Sequence, residues 1–510
     1  MAETAAEIQS PSDKVITIRC PATLEEAGNV TVHSREQVAQ QVALAREAQA
    51  VWGSLSFSQR AKMLRRFRDF VVDAKDEIAD TVVSETGKPR AEVYGNELVY
   101  LCDGIGYWAK NAGRLLADRQ VAPHLLKNKK AYTTYKPRGV IGMITPWNFP
   151  LSLTIGEAVP ALAAGNAVVI KPSEVTPLTA LLGCRLAEES GLPPNLLSAV
   201  VGYGETGSDL VDFVDMVSFT GSVATGRKIQ VKCGEQLKPT TMELGGKDPM
   251  VVCADANVER AANGCVWGGI MNAGQVCISI ERVYVVEKIY DDFVDRVVKK
   301  VGELRQGAPY EESDVGSMIF PPQLDKVERQ VEAAKAAGAR VLAGGKKIVG
   351  RAGYWYEPTV LVDVNHDMEI MSEETFGPVI AIQKVSDDAE AVKLANDSRY
   401  GLSASVWSRD KAGAMNIARR IEAGAVCVND HMIHMLIPEV PMGGIKESGL
   451  GRRHGEEGIR KYCDQQTIIV DRFGANKELV WYPTPRGMSK VLRRTLNLLF
   501  RSGWRNKLKG

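Results

Sequence analysis

The sequence lacks the marks of several common protein classes. Its nine cysteines include no Cys-x-x-Cys pair and no His/Cys cluster at zinc-finger spacing, so neither a disulfide framework nor a metal site is expected. No window approaches the roughly 20 consecutive apolar residues that span a bilayer. The stretch from Met1 to Lys14 carries acids and a proline instead of a basic start and an apolar run, which argues against a secretory signal. A reducing, cytoplasmic setting is the expectation. Excess charge is absent too: 63 Lys and Arg against 62 Asp and Glu leave a net of +1, with no field suited to nucleic acid. Internal repeats and low-complexity tracts are likewise missing.

What remains is a chain of 510 residues, 45% hydrophobic and 25% charged. At a typical ~150 residues per domain, that length suggests about three structural units. Apolar residues at helical spacing (Val38, Val42, Ala45, Ala48, then Met63, Phe67, Phe70, Val71) predict helices over 35–52 and 58–84. Ala91 to Leu116 reads as another helix and Gln120 to Lys136 as an extended hairpin. From Gly139 short apolar runs (Val140 to Ile144, Ala167 to Ile170, Leu197 to Val201, Met216 to Phe219) alternate with helical segments, the rhythm of a parallel sheet with crossover helices. A second round starts near Met250 and includes Arg282 to Val286, Tyr290 to Val301, Arg340 to Ala343 and Pro378 to Gln383, so two α/β units are expected.

The C-terminus differs in kind. Ser489 to Gly510 holds seven Lys or Arg and no acid, interleaved with Val491, Leu492, Leu496, Leu498, Leu499, Phe500 and Trp504. Such a helix can lie on a membrane surface, cover a substrate mouth, or dock on its own protein.

Cys277, in Asn272-Ala273-Gly274-Gln275-Val276-Cys277, stands among small and polar neighbours instead of inside an apolar run, where a substrate can reach it. Gly202-Tyr203-Gly204-Glu205-Thr206-Gly207 matches a dinucleotide pattern but is weak by itself. Phe219-Thr220-Gly221-Ser222-Val223-Ala224-Thr225-Gly226 is stronger, because a strand ends in small residues where a helix begins, and free N–H groups there favour a pyrophosphate.

Six motifs in order, Pro146-Trp147-Asn148-Phe149-Pro150, Lys171-Pro172-Ser173-Glu174, Phe219 to Ser222, Glu243-Leu244-Gly245-Gly246-Lys247, Gly274 to Cys277 and Glu374-Thr375-Phe376-Gly377-Pro378, resemble the NAD(P)-dependent aldehyde dehydrogenase superfamily. The resemblance runs from about residue 15 to about residue 472. It implies an α/β fold of two Rossmann-like domains plus a small β oligomerisation element. The implied boundaries are 1–117 and 138–245 for the NAD-binding domain, 246–446 for the catalytic domain, 118–137 and 463–472 for the oligomerisation element, and 473–510 for the basic tail. A homodimer or homotetramer is implied as well.

By the same resemblance Cys277 is the nucleophile, Glu243 the base that activates water, and Asn148 the oxyanion donor, together converting an aldehyde through a thiohemiacetal and a thioester to the acid. Lys171 and Glu174 fall to the adenosine ribose, Ser222 to the pyrophosphate, and Glu374 to the nicotinamide ribose. Ile144, Thr145, Pro146, Trp147, Gly204, Gly221, Gly226, Leu244, Gly245 and Phe376 fall to the rest of the cofactor site. A carboxylate at Glu174 accepts from both ribose hydroxyls and repels a 2′-phosphate, which favours NAD over NADP. Where many relatives carry a second glutamate, this chain has Arg453, so a proton relay from Glu243 has only water or backbone to use.

For the substrate, the motifs look most like proteins assigned as succinate-semialdehyde dehydrogenases, and Arg114 falls where those have an arginine. Met271 replaces the other expected arginine. Phe149, Leu153 and Met442, with Met432, Met435, Leu436 and Ile437, suggest apolar walls, and Gly156 lies where relatives place a bulky aromatic, which implies a wider tunnel. The expectation is an apolar aldehyde, medium- or long-chain or aromatic, with succinic semialdehyde as the alternative. A coenzyme A-acylating enzyme is disfavoured by Glu243, and a non-catalytic scaffold by the intact Cys277, Glu243 and Asn148. The tail suggests peripheral contact with a membrane.

Overall fold

The computed structural model describes residues 15–478 and 481–503. Residues 15–117 and 135–465 form one compact unit, and residues 118–134 and 466–503 a second, smaller one. Trp504 of the tail lies outside the described residues.

Two sheets organise the larger unit. The first has six strands in the order Gly449–Leu450, Thr240–Glu243, Met216–Thr220, Val140–Ile144, Ala167–Lys171, Leu197–Ala199. All neighbours are parallel except the two-residue strand Gly449–Leu450, which runs antiparallel to Thr240–Glu243 with Gly449 opposite Glu243. The chain starts in the middle at Val140–Ile144, builds outward to Leu197–Ala199, then returns to build the other side. That reversal opens a crevice at the carboxyl ends of Val140–Ile144 and Met216–Thr220, where ligands bind in open α/β sheets. The second sheet has seven strands, parallel apart from the edge strand Arg340–Ala343, in the order Arg340–Ala343, Thr359–Val362, Val379–Val385, Ile280–Val286, Asp248–Val252, Ser403–Trp407, Ala425–Val428. Val140–Ile144, Ala167–Lys171, Asp248–Val252 and Ile280–Val286 are buried at every residue, as strands covered on both faces must be.

The helices that cover the first sheet begin where the sequence supplies caps. Ser34 with Gln37 opens Arg35–Ser54, and Ser56 with Gln59 opens Phe57–Asp73, each as a reciprocal capping box. The predicted helix over 58–84 is two helices, Phe57–Asp73 and Lys75–Thr86, parted at Ala74. The predicted helix from Ala91 to Leu116 is continuous but widens to π geometry over Val93–Val99 before Tyr100–Leu115. A second π turn occupies Ser152–Gly156. π turns cluster at functional sites, because the extra residue re-aims side chains on one face. Here Glu97 of the first accepts hydrogen bonds from the Leu151 and Ser152 N–H groups at 2.7 and 3.2 Å, at the start of the second.

In the smaller unit, Arg119–Val121 and Lys129–Pro137 form the antiparallel hairpin read over 120–136, and Cys463–Asp471 lies beside Lys129–Pro137. Cys463–Asp471 is an edge strand exposed along eight of its nine residues. Helix Met488–Phe500 follows, with only Met488 buried.

Candidate active site

Cys277 follows three residues with left-handed backbone: Asn272 (φ 52°), Ala273 (φ 52°) and Gly274 (φ 69°). A side chain on Gly274 would meet the Gly377 carbonyl oxygen at 2.0 Å, so only glycine fits. The turn is held by Gln275, fully buried, whose side chain donates to Asn272 O (2.9 Å) and accepts from Ile319 N–H (2.8 Å). This accounts for the small and polar residues before the sulfur. They build a strained turn that presents Cys277, partly exposed, to the cleft.

Asn148 sits in the crossover from strand Val140–Ile144. Its amide donates to Gln275 O at 2.9 Å, which ties it to the cysteine turn, and one N–H remains available. Glu243 ends strand Thr240–Glu243, and at Gly246 the following loop comes so close that a Cβ would lie 2.4 Å from the Cys277 carbonyl oxygen. Asn148, Glu243 and Cys277 therefore line a single cleft.

The same cleft is lined by Ile144, Thr145, Pro146, Trp147, Lys171, Glu174, Gly204, Gly221, Ser222, Leu244, Gly245, Glu374 and Phe376. Gly226 does not line it: it packs beneath, and a Cβ there would lie 2.5 Å from Leu244 Cδ2. The residues fit a dinucleotide. Ser222 caps the 13-residue helix Val223–Glu235, whose first turn faces the cleft. Lys171 and Glu174 pair at 3.2 Å, the buried Thr145 Oγ1 has no partner among the described residues, and Trp147 meets Phe376 edge-on with ring centroids 5.5 Å apart.

Of the substrate candidates, Phe149, Leu153, Met271 and Met442 gather with Val276, Ile278, Leu402, Met432 and Met435 in one apolar cluster that includes Cys277. Arg114 does not join them. It ends helix Tyr100–Leu115 exposed, bonded weakly to Asn111, because the helical turn points it outward. Gly156 lines a small cavity that does not include Cys277, and a Cβ there would lie 2.9 Å from Tyr100 Cε1, so the missing side chain makes room for Tyr100.

Electrostatics divide the site. Burial pushes the Cys277 thiol up to about 12, with Arg453 pulling against it, so the resting sulfur is protonated at neutral pH. Burial also raises Glu243 to about 7, opposed by Arg453 and Lys461. Glu374 rises to about 7 through burial and the nearby Glu281, while accepting from Gly246 N–H at 3.1 Å.

Several ion pairs that carry this geometry gave no local signal in the sequence. Lys88 donates to Asn148 O at 2.8 Å and to Glu97 at 2.7 Å. Glu281 accepts from Lys247 (2.6 Å) and from the N–H groups of Thr375 (2.7 Å) and Phe376 (2.8 Å), which fixes the segment that carries Glu374. Arg453 bonds Glu157, both buried. Each lone charge reads as surface until its partner, distant in sequence, is known.

The sequence pattern of the aldehyde dehydrogenase family matches residues 8–468. A protein of Mycolicibacterium smegmatis named putative succinate-semialdehyde dehydrogenase [NADP(+)] is 41% identical over 91% of this chain and 89% of its own. A Methylomonas protein named 4,4'-diapolycopene aldehyde oxidase is 37% identical over 89% and 86%. Among solved structures, a Mycobacterium tuberculosis aldehyde dehydrogenase complexed with NAD+ superposes with a TM-score of 0.87 at 34% identity, covering 91% of this chain and 96% of that one. This chain belongs to the aldehyde dehydrogenase family and is an oxidoreductase that acts on aldehydes with NAD or NADP.

Proposed function

We propose that the chain oxidises an apolar aldehyde to its carboxylic acid through a thioester on Cys277. The observation that carries this reading is the single cleft shared by Cys277, Asn148, Glu243 and the dinucleotide-fitting residues. The Cys277 sulfur adds to the carbonyl carbon and the thiol proton passes to the Glu243 carboxylate. Asn148 Nδ2 and the Cys277 N–H hold the oxygen as it gains charge, where a lost donor typically costs ~3 kcal/mol of barrier. NAD, held by the residues that line the cleft, would supply the hydride acceptor, and loss of hydride from the adduct's carbon leaves a thioester on Cys277. Glu243, its proton released to solvent, then takes one from water; the resulting hydroxide attacks the thioester, the C–S bond breaks, the carboxylic acid leaves as product, and the Cys277 thiolate takes back the proton held by Glu243.

Lys171 and Glu174 hold the adenosine ribose, Ser222 and its helix start the pyrophosphate, and Glu374 the nicotinamide ribose. Glu174 sets a preference for NAD. The apolar cluster around Cys277 favours a medium- or long-chain or aromatic aldehyde, and the name of the Methylomonas relative fits that class. Succinic semialdehyde is the second reading, favoured by the name of the M. smegmatis relative. Comparing kcat/KM for hexanal, dodecanal, benzaldehyde and succinic semialdehyde decides between them: the apolar reading requires one of the first three to lead. Product analysis with and without coenzyme A should give free acid in both.

A second copy of the chain completes the exposed edge strand Cys463–Asp471, which presents Ile468, Ile469 and Val470. On helix Met488–Phe500, Leu492, Leu496 and Leu499 share one exposed face, opposite Lys490 and Arg494, with Arg493 on the flank. An anionic lipid surface suits that pattern. Deleting residues 489–510 should abolish co-sedimentation with anionic vesicles and leave turnover of soluble aldehydes intact.

A further inference from the structure

The two oxyanion donors in the reaction above, the Asn148 amide and the Cys277 N–H, come from segments far apart in the chain. Their spacing is set by whatever ties those segments together. One tie is the Asn148 side chain itself, which donates to Gln275 O at 2.9 Å. A second tie does not involve that amide: Asn272 Nδ2 donates to Asn148 O at 3.0 Å and to Gln275 O at 3.2 Å. Both neighbours of this nitrogen are carbonyl oxygens, so only one orientation of the Asn272 amide bonds where the other would repel. Asn272 is 2% exposed and does not line the cleft, so it acts on the reaction only through the groups it holds.

Asn272 is itself fixed at its backbone. Its N–H donates to Glu92 Oε1 at 3.1 Å, and its carbonyl accepts from the Gln275 N–H at 3.1 Å and from the Gln275 side-chain amide at 2.9 Å. Its φ of 52° is a left-handed value that asparagine tolerates better than most side chains. Lys88 shares the Asn148 carbonyl at 2.8 Å, but its other partner is Glu97, so it fixes Asn148 without reference to the cysteine turn. Of these two donors, Asn272 alone reaches both segments.

We propose that Asn272 is a positioning residue whose amide clips the Asn148 and Gln275 carbonyls together and so sets the distance between the two oxyanion donors. The proposal rests on Asn148 holding the oxyanion, and a double-mutant cycle on the NADH burst separates the two. Asn272→Gly removes the clip at a position where glycine adopts the left-handed backbone freely. It should slow the burst at saturating aldehyde by about 10- to 100-fold, the effect of a small misplacement of reacting groups. The aldehyde concentration that gives half the maximal burst rate should not change, because the clip serves the transition state and not substrate binding. Asn272→Asp, which keeps the size and the left-handed preference but has no N–H to donate, should slow the burst as well. In an Asn148→Ala background, Asn272→Gly should slow it little further, since a single donor has no spacing to keep. Alkylation of Cys277 by iodoacetamide at pH 9 needs no oxyanion site and should match wild type in Asn272→Gly. A merely structural role predicts alkylation that changes with the burst, and losses that multiply in the double variant. Either result, or an unslowed burst in Asn272→Gly, overturns the proposal. An undiminished burst in Asn148→Ala overturns the oxyanion reading instead.

Discussion

Lys88 approaches Asn148 from behind the cleft, its ammonium 2.8 Å from the Asn148 carbonyl oxygen and 2.7 Å from Glu97, with both charged side chains excluded from solvent. The ammonium also stands 4.1 Å from the centre of the Phe149 ring. One ion pair thus fixes the backbone of Asn148, the start of the second π turn and a wall of the apolar cluster.

Lys88→Met should therefore destabilise the protein by about 3–5 kcal/mol, because it strands Glu97 as a buried charge. A urea midpoint within error of wild type would show that the pair carries no such burden.

Asn148→Ala should lower the rate of the NADH burst by about 10²–10³. The fold should lose only about 1 kcal/mol, the worth of the bond to Gln275. Stopped-flow and thermal unfolding on the same variant separate the two effects; a large drop in melting temperature with an unchanged burst would reverse the assignment.

For the enzyme without cofactor, iodoacetamide should alkylate Cys277 slowly at pH 7, with the rate rising up to pH 9 and no plateau, since burial holds the thiol near 12. A plateau below pH 8 would mean that the resting sulfur is already a thiolate.

Hydrolysis of the acyl-enzyme should climb through pH 7. Glu243, raised to about 7, is roughly one-tenth ionised at pH 6 and nine-tenths at pH 8. A flat profile across that window would remove Glu243 from the step.

Glu174→Ala should shift the kcat/KM ratio of NAD to NADP towards NADP by about tenfold, because the carboxylate that repels a 2′-phosphate is gone. An unchanged ratio would place cofactor choice elsewhere in the cleft.

The α/β alternation was legible because period and run length are local properties, and both sheets appear where the apolar runs from Val140 and from Met250 stand. The motif residues share a cleft because Ile144, Lys171 and Glu243 end strands, Ser222 caps a helix, and Asn148, Cys277 and Glu374 stand in the short connections between such elements, positions that short patterns mark. Other features could not be read locally. The π turn at Val93–Val99 has the composition of an ordinary helix. Gly156 suggested open space, yet its space belongs to Tyr100, 56 positions earlier in the chain. Arg453 was legible as a departure but not as the partner of Glu157, since 296 residues separate them. Arg114 was placed by analogy with relatives, and the direction of its side chain follows from the helix that carries it.

The central claim is a covalent thioester on Cys277 resolved by Glu243. Its most direct test is the intact mass of Glu243→Gln enzyme quenched in acid after mixing with NAD and dodecanal. The account predicts one NADH per chain and a stable acyl adduct on the peptide that holds Cys277. Rapid, continuous turnover by this variant with no adduct on Cys277 would contradict it.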